Sequence, residues 1–235
     1  MLVGLSQSGP AVLAGALLAQ ARGRPLPRGI ILLGSPIDTR KMAGPLQHWL
    51  DLMPRGTLES HLVAVTPDRF EGAGRKVYPG LYQLMTYAAT NPGGYFGAQA
   101  GLWGELLSGV NGPYARMHDD LHHLLDLPAE LFSDMIERIL RKAELASGQM
   151  NIDGVGIDLR RLVAVPVLSI EARQDELVGR GQTHAVHELV GGAVGGESAS
   201  VVADVDGGHD ALFANASLSA NVAPLLQHFL AGLPA

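Results

Sequence analysis

The chain has 235 residues, a formal net charge of −6 and no cysteine. The absence of cysteine excludes disulfides, thiolate metal sites and a cysteine nucleophile, and the 17 scattered Lys and Arg residues argue against a nucleic-acid partner. Gly, Pro and charged residues interrupt each apolar run before the roughly 18 residues that a membrane span needs. The start, Met1-Leu2-Val3, has neither a basic segment nor a cleavage site, so we expect no signal peptide.

The first informative motif is Gly4-Leu5-Ser6-Gln7-Ser8, which follows an apolar segment and precedes the alanine- and leucine-rich stretch Ala11–Ala21. This pattern is typical of the nucleophile elbow, a tight strand-to-helix turn that exposes a hydroxyl in α/β hydrolases. The turn brings backbone against backbone, so it needs small residues two before and two after the nucleophile. Gly4 and Ser8 meet that need around Ser6, which we predict to be the nucleophile.

Two further expectations concern the same turn. Ser8 is the alternative nucleophile, but Pro10 suits the first turn of a helix better than the flank of an elbow. The backbone N–H of Gln7 is expected to be one donor to the oxyanion. A second donor normally comes from a loop after an early strand, and the chain shows no such strand before Ser6.

Four apolar runs predict a parallel sheet, because strands buried on both faces read as continuous apolar segments. They lie at 1–5, 29–33, 163–171 and 199–205. Pro166 must then lie near the start of its strand or at a bulge. A closing helix is expected over Ala211–Leu230, with a buried stripe that includes Leu212 and Phe229.

The middle of the chain has a different composition. Residues 38–160 are largely helical in pattern and carry all five Tyr and both Trp residues. Asp126-Leu127-Pro128-Ala129-Glu130 is typical of a helix start with Pro128 in the first turn. We therefore predict an α/β core formed by residues 1–37 and 161–235, with a helical cap inserted at 38–160 over the active site, whose aromatic side chains mostly form its own core.

An acid and a base follow in the chain order that an α/β hydrolase requires. Asp175 comes shortly after the third strand candidate, and His209 follows the fourth. Since the carboxyl ends of parallel strands meet at one edge of the sheet, we expect Ser6, Asp175 and His209 to converge. Glu176 is the alternative acid.

The other eight histidines are interpreted as solvated or structural, and the pairs His122-His123 and His184/His187 as residues on helix surfaces. His122-His123 and the pair His184 and His187 have a spacing that metal ligands use, but no cysteine or matching carboxylate pattern accompanies them. No phosphate-binding glycine loop is present, so we expect neither a metal nor another cofactor.

Several segments resemble the C-terminal part of the intracellular polyhydroxyalkanoate (polyhydroxybutyrate) depolymerases. They are Leu33–Arg40, Val77–Gly80, Asp126–Glu130, Ile170–Glu171, Asp175–Glu176, Gly181–Thr183 and Gly208–His209. Members of this branch carry a cysteine in the elbow, where this chain has Ser6. The family's N-terminal strands and second oxyanion donor have no counterpart here.

The resemblance implies an α/β-hydrolase fold that lacks its N-terminal strands and carries a helical cap. It also implies hydrolysis of (R)-3-hydroxybutyrate polyester in the cytoplasm, with a polyester granule or 3-hydroxyacyl oligomers as the partner. Two other functions are left open: a general carboxylesterase, and a granule-binding protein without catalysis.

Overall fold

Short strands alternate with helices in the computed structural model, which describes residues 1–54, 56–162, 165–190, 200–213 and 217–233. The strands in these ranges are β1 (Leu2–Leu5), β2 (Ile30–Leu33), β3 (Ala64–Val65), β4 (Lys76–Tyr78), β5 (Leu127–Pro128), β6 (Asn151–Ile152), β7 (Val155–Gly156), β8 (Val167–Ala172) and β9 (Val201–Val205). The α-helices are α1 (Ser8–Ala21), α2 (Pro45–Asp51), α3 (Thr57–Leu62), α4 (Gly80–Thr90), α5 (Pro92–Ser108), α6 (Pro113–His122), α7 (Ala129–Asp134), α8 (Val186–Leu189) and α9 (Ala223–Ala231).

The chain divides into two units. The first contains Met1–Trp49 and Met135–Ala235, and the second contains Leu50–Asp134. The bounds of the second unit thus lie inside the insertion expected at 38–160. Every helix in the described part of the chain is too short or too polar to cross a lipid bilayer.

The first unit is built on a four-stranded sheet in the order β1-β2-β8-β9, and all three pairings are parallel. Every residue of β2 and β8 is buried, as expected of central strands in a parallel sheet. This confirms the α/β fold class and a strand at each of the four predicted places, although the third begins at Val167 rather than at 163. Residues 163, 164 and 199 of the predicted strands lie outside the described residues. Strand β8 begins directly after Pro166, whose carbonyl accepts a hydrogen bond from the Ile30 N–H at 2.9 Å.

Side chains alternate along the central strands and build a separate apolar core on each face of the sheet. Ile30 and Leu32 pack with residues of α1 on one face. Ile31 and Leu33 pack on the other face with residues that include Leu212 and Phe229. The stripe predicted for the closing helix is therefore buried where it was expected.

The closing helix itself is not continuous, which corrects the prediction for Ala211–Leu230. A 3-10 helix covers His209–Leu212, a π-helix covers Leu218–Val222, and α9 follows. Residues 214–216 lie outside the described residues. The 3-10 turn keeps His209 and Leu212 buried together, and the wider π turn precedes the proline at the start of α9.

The second unit contains a small antiparallel sheet, β3-β4-β5, that the sequence analysis did not predict. Pro128 lies in β5, so the helix α7 begins one residue later than expected, at Ala129. Asp126 accepts the Gly80 N–H at 2.8 Å. Tyr78 stacks on Phe132 with ring centroids 4.1 Å apart, whereas Trp103 is 64% exposed. The aromatic residues thus form the unit's core only in part.

A chain of polar groups, buried or partly buried, begins at Ser169 in β8. The Ser169 hydroxyl, which is fully buried, lies 2.7 Å from Nδ1 of His184 and 2.8 Å from Nε2 of His187. The interpretation of these two histidines as surface residues was wrong, because both rings point towards a central strand. His122 and His123 are exposed at the end of α6, as expected.

The polar chain continues from His184 to Asp204. Nε2 of His184 lies 3.1 Å from the Asp204 carboxylate, which accepts when it is ionised. Burial, followed by the nearby His184, lowers the pKa of His187 to about 4.

This lowered pKa predicts a loss of stability in mild acid. His187 titrates at about 4 in the folded chain and at 6.5 ordinarily, so the unfolded chain binds the proton first. The free energy of unfolding should therefore fall as the pH drops from 6.5 towards 4. Urea unfolding measured across this window should be less pH-dependent in His187→Gln than in the wild type. Equal slopes for the two proteins would contradict the prediction.

Candidate active site

The turn between β1 and α1 has the geometry of a nucleophile elbow. Ser6 adopts the left-handed region with φ +48°, which side chains other than glycine rarely do. Its N–H donates to the Leu33 carbonyl at 2.8 Å, which ties the turn to the end of β2. A Cβ on Gly4 would lie 2.6 Å from the Gly9 Cα, so strand and helix approach too closely for a side chain at position 4.

The two neighbours of Ser6 have different environments. The Ser8 hydroxyl accepts the Leu5 N–H and donates to the Leu5 carbonyl, both at 2.8 Å, and so is used inside the turn. Gln7 is the N-cap residue of α1, which places its backbone N–H at the positive end of the helix dipole. Ser8 thus serves the turn, whereas the Ser6 hydroxyl points to a histidine.

The structure brings together the three side chains predicted from the sequence. Nε2 of His209 lies 2.9 Å from Oγ of Ser6, and Nδ1 lies 2.7 Å from Oδ2 of Asp175. The side chains of His209 and Asp175 are each only 6% exposed. With the Asp175 carboxylate ionised, Nδ1 carries the proton and Nε2 accepts from the Ser6 O–H. All three residues follow carboxyl ends of strands of the main sheet.

The alternative acid, Glu176, makes a different contact. Its Oε2 accepts the backbone N–H of His209 at 2.9 Å, while the ring of His209 faces Asp175. Oδ1 of Asp175 accepts the N–H groups of Leu177 and Val178 at 2.9 and 2.8 Å. One carboxylate oxygen of Asp175 therefore binds its own loop, and the other binds the His209 ring.

Gly34 and Phe213 enclose the His209 ring. Gly34 has φ +50°, and a Cβ there would lie 3.0 Å from Cε1 of His209 and 2.5 Å from a methyl carbon of Leu212. The Phe213 ring meets the imidazole edge-on at a centroid distance of 5.2 Å. The ring therefore has little room to leave the orientation that joins Ser6 to Asp175.

A second set of contacts fixes the loop that carries Asp175, and the sequence analysis assigned it no role. The buried Glu171 carboxylate accepts the N–H groups of Gly181, Thr183 and His184 at 2.7, 2.8 and 3.1 Å. The Thr183 hydroxyl accepts the Ser35 N–H at 2.8 Å and donates to the Ser35 carbonyl at 3.0 Å. A glutamate at the end of an otherwise apolar run was the available signal.

One group of side chains in the described residues could offer three ligand atoms to a cation. Glu171, His184 and Asp204 place such atoms within 4.8 Å of one another. The guanidinium groups of Arg180 and Arg173 lie 3.3 and 3.9 Å from Asp204, and Glu171 already accepts three N–H groups. The two arginines offset the negative charge of Asp204, and the three N–H groups stabilise the negative charge of Glu171.

A parallel sheet whose first strand leads through a serine elbow into a helix, with an acid and a histidine after later strands, defines an α/β hydrolase. Residues 34–233 match the family described as PHB de-polymerase C-terminus, and the chain belongs to this family. A comparison with curated proteins finds no significant match.

Solved structures with a similar arrangement include carboxyl esterase 2 of the fungus Tuber melanosporum, at 12% identity and a TM-score of 0.43, over 99% of this chain and 54% of that one. The RedJ thioesterase of Streptomyces coelicolor matches at 14% identity and a TM-score of 0.43, over 98% of this chain and 62% of that one. Human thioesterase 2 matches at 11% identity and a TM-score of 0.39, over 97% of this chain and 69% of that one. The chain spans less than two thirds of the length of the first two.

The packing of the elbow predicts opposite effects for two glycines of α1. A Cβ on Gly9 would collide with the Ser35 side chain, whereas a Cβ on Gly15 has no neighbour within 4 Å. Gly9→Ala should lower the free energy of unfolding by about 1–3 kcal/mol, as overpacking does. Gly15→Ala should leave it unchanged or raise it by up to about 1 kcal/mol, because alanine favours helix.

Chemical denaturation of both variants checks this pair. The substitution, the helix and the added atom are the same, so only the space at each position differs. Equal stabilities of Gly9→Ala and Gly15→Ala would show that the close approach of α1 to Ser35 does not constrain the elbow.

Proposed function

We propose that this protein is a serine ester hydrolase in which Ser6 is the nucleophile, His209 the general base and Asp175 the residue that orients His209. The observation that carries the proposal is the continuous hydrogen-bond chain from Oγ of Ser6 through both ring nitrogens of His209 to Asp175. A serine hydroxyl is a weak nucleophile on its own and needs a base within hydrogen-bond reach. The distance of 2.9 Å between Oγ of Ser6 and Nε2 of His209 supports His209 as that base.

In the proposed reaction, Oγ of Ser6 attacks the ester carbonyl carbon as its proton passes to Nε2 of His209. Asp175 stabilises the imidazolium that forms, and the Gln7 N–H donates to the carbonyl oxygen as it becomes negative. Collapse of the tetrahedral species breaks the bond to the alcohol oxygen, which receives the proton from His209. Water then attacks the acyl-Ser6 ester by the same route and restores the hydroxyl.

We propose a polyhydroxyalkanoate, or oligomers of its 3-hydroxyacyl units, as the substrate. The support for this is membership of the PHB de-polymerase C-terminus family over residues 34–233. The chemistry asks for nothing beyond an ester, since each unit of such a polyester presents one carbonyl and one alkoxide leaving group. A general carboxylesterase uses the same three side chains, and only the substrate distinguishes the two.

Replacement of Ser6 tests the nucleophile. Ser6→Ala should abolish labelling by a fluorophosphonate probe and reduce the release of 3-hydroxybutyrate from amorphous granules to background. Ser8→Ala is the matched control: its hydroxyl bonds within the turn, so the variant should still be labelled. Granule hydrolysis by Ser6→Ala equal to that of the wild type would refute the assignment.

The same experiment separates the alternatives. Rapid hydrolysis of p-nitrophenyl butyrate with no release from granules would favour the general carboxylesterase. A folded protein that binds granules but is not labelled at Ser6 would favour a binding protein without catalysis.

Replacement of the acid tests the order of the three groups. Asp175→Asn should reduce kcat by about 10⁴-fold, because an amide can donate to Nδ1 and stabilise the wrong tautomer of His209. Asp206→Asn is the control: this exposed carboxylate lies three residues before His209 and pairs with Arg173 instead. A rate for Asp175→Asn close to that of Asp206→Asn would exclude Asp175 from the proposed role.

A further inference from the structure

Three consecutive residues of the loop after β8, at positions 174–176, form hydrogen bonds with the segment after β9 that carries His209. Gln174 exchanges two hydrogen bonds with Gly207: its N–H donates to the Gly207 carbonyl at 3.0 Å, and its side-chain oxygen accepts the Gly207 N–H at 2.6 Å. Asp175 binds the His209 ring. Glu176 accepts the His209 backbone N–H at 2.9 Å. The side chain and the backbone of His209 are therefore anchored to adjacent residues of one loop.

The glycine before His209 makes the Glu176 contact sterically feasible. A Cβ on Gly208 would lie 2.8 Å from Oε2 of Glu176, so a side chain at that position would displace the carboxylate. The N–H that Glu176 accepts belongs to the first residue of the 3-10 helix His209–Leu212. A carboxylate at that N–H forms a charge-assisted hydrogen bond, which is shorter and stronger than a neutral one.

We infer that Glu176 is a positioning residue that acts through His209. The Asp175 contact fixes the rotation of the imidazole, but the location of Nε2 relative to Ser6 also depends on where the His209 backbone lies. Glu176 fixes that backbone position. The inference rests on the proposed function, because the location of Nε2 bears on the rate only if His209 takes the proton of Ser6.

Three variants test the inference. Glu176→Ala removes the acceptor, and kcat for p-nitrophenyl butyrate should fall about 10- to 100-fold with little change in KM, as expected when a reacting group is misplaced. Glu176→Gln keeps an oxygen that accepts the same N–H, so it should restore most of the rate. Asp210→Asn removes an exposed carboxylate next to His209 and should match the wild type.

A readout that does not depend on turnover separates this inference from the proposed function. A proton on Nδ1 of His209 that is held against Asp175 and protected from water should give a far-downfield NMR signal. That signal should be lost or exchange-broadened in Glu176→Ala and kept in Glu176→Gln and Asp210→Asn. If the wild type is neither active nor labelled by a fluorophosphonate, the proposed function fails, and this signal still decides whether Glu176 positions His209.

The outcomes that overturn the inference are specific. Glu176→Ala with wild-type kcat and an intact Nδ1 proton signal would show that the contact does not position the ring. Glu176→Gln as impaired as Glu176→Ala would show that accepting the N–H is not what Glu176 contributes. A rise of KM in Glu176→Ala with unchanged kcat would assign Glu176 to substrate binding instead.

Discussion

The close approach of β1 to α1 is the constraint on which the site depends. With no side chain on Gly4, the strand turns into the helix within a few residues, and Ser6 takes a left-handed conformation at the tip. The turn projects the hydroxyl beyond the end of the sheet rather than into either apolar core. The hydrogen bond from the Ser6 N–H to the Leu33 carbonyl then fixes the position of the turn relative to the end of β2.

Most of the main sheet and the three converging side chains could be predicted from the sequence, because each has a local signature. Central parallel strands read as unbroken apolar runs, and the elbow demands small residues at a fixed spacing. A Ser, an acid and a His that each follow such a run must lie at one edge of the sheet. None of these inferences required knowledge of contacts between distant residues.

The features that escaped prediction depend on contacts between distant residues. Strands β3 and β5 have two residues each, too few to show periodicity, and they form only because β4 pairs with both. His184 and His187 have the spacing of a helix surface, and their burial follows from the position of Ser169 on β8. The closing helix widens into a π turn, which its amphipathic stripe does not reveal.

The loop that follows β8 combines tasks that many enzymes divide among separate segments. Within about a dozen residues it supplies the acid through Asp175, anchors the histidine backbone through Glu176 and, through Thr183, ties itself to Ser35 beside the elbow. An insertion or deletion within 174–183 would therefore disturb all three relationships at once. A loop transplanted from a homologue should keep these contacts only if the glutamate that binds its far end, Glu171, is transplanted with it.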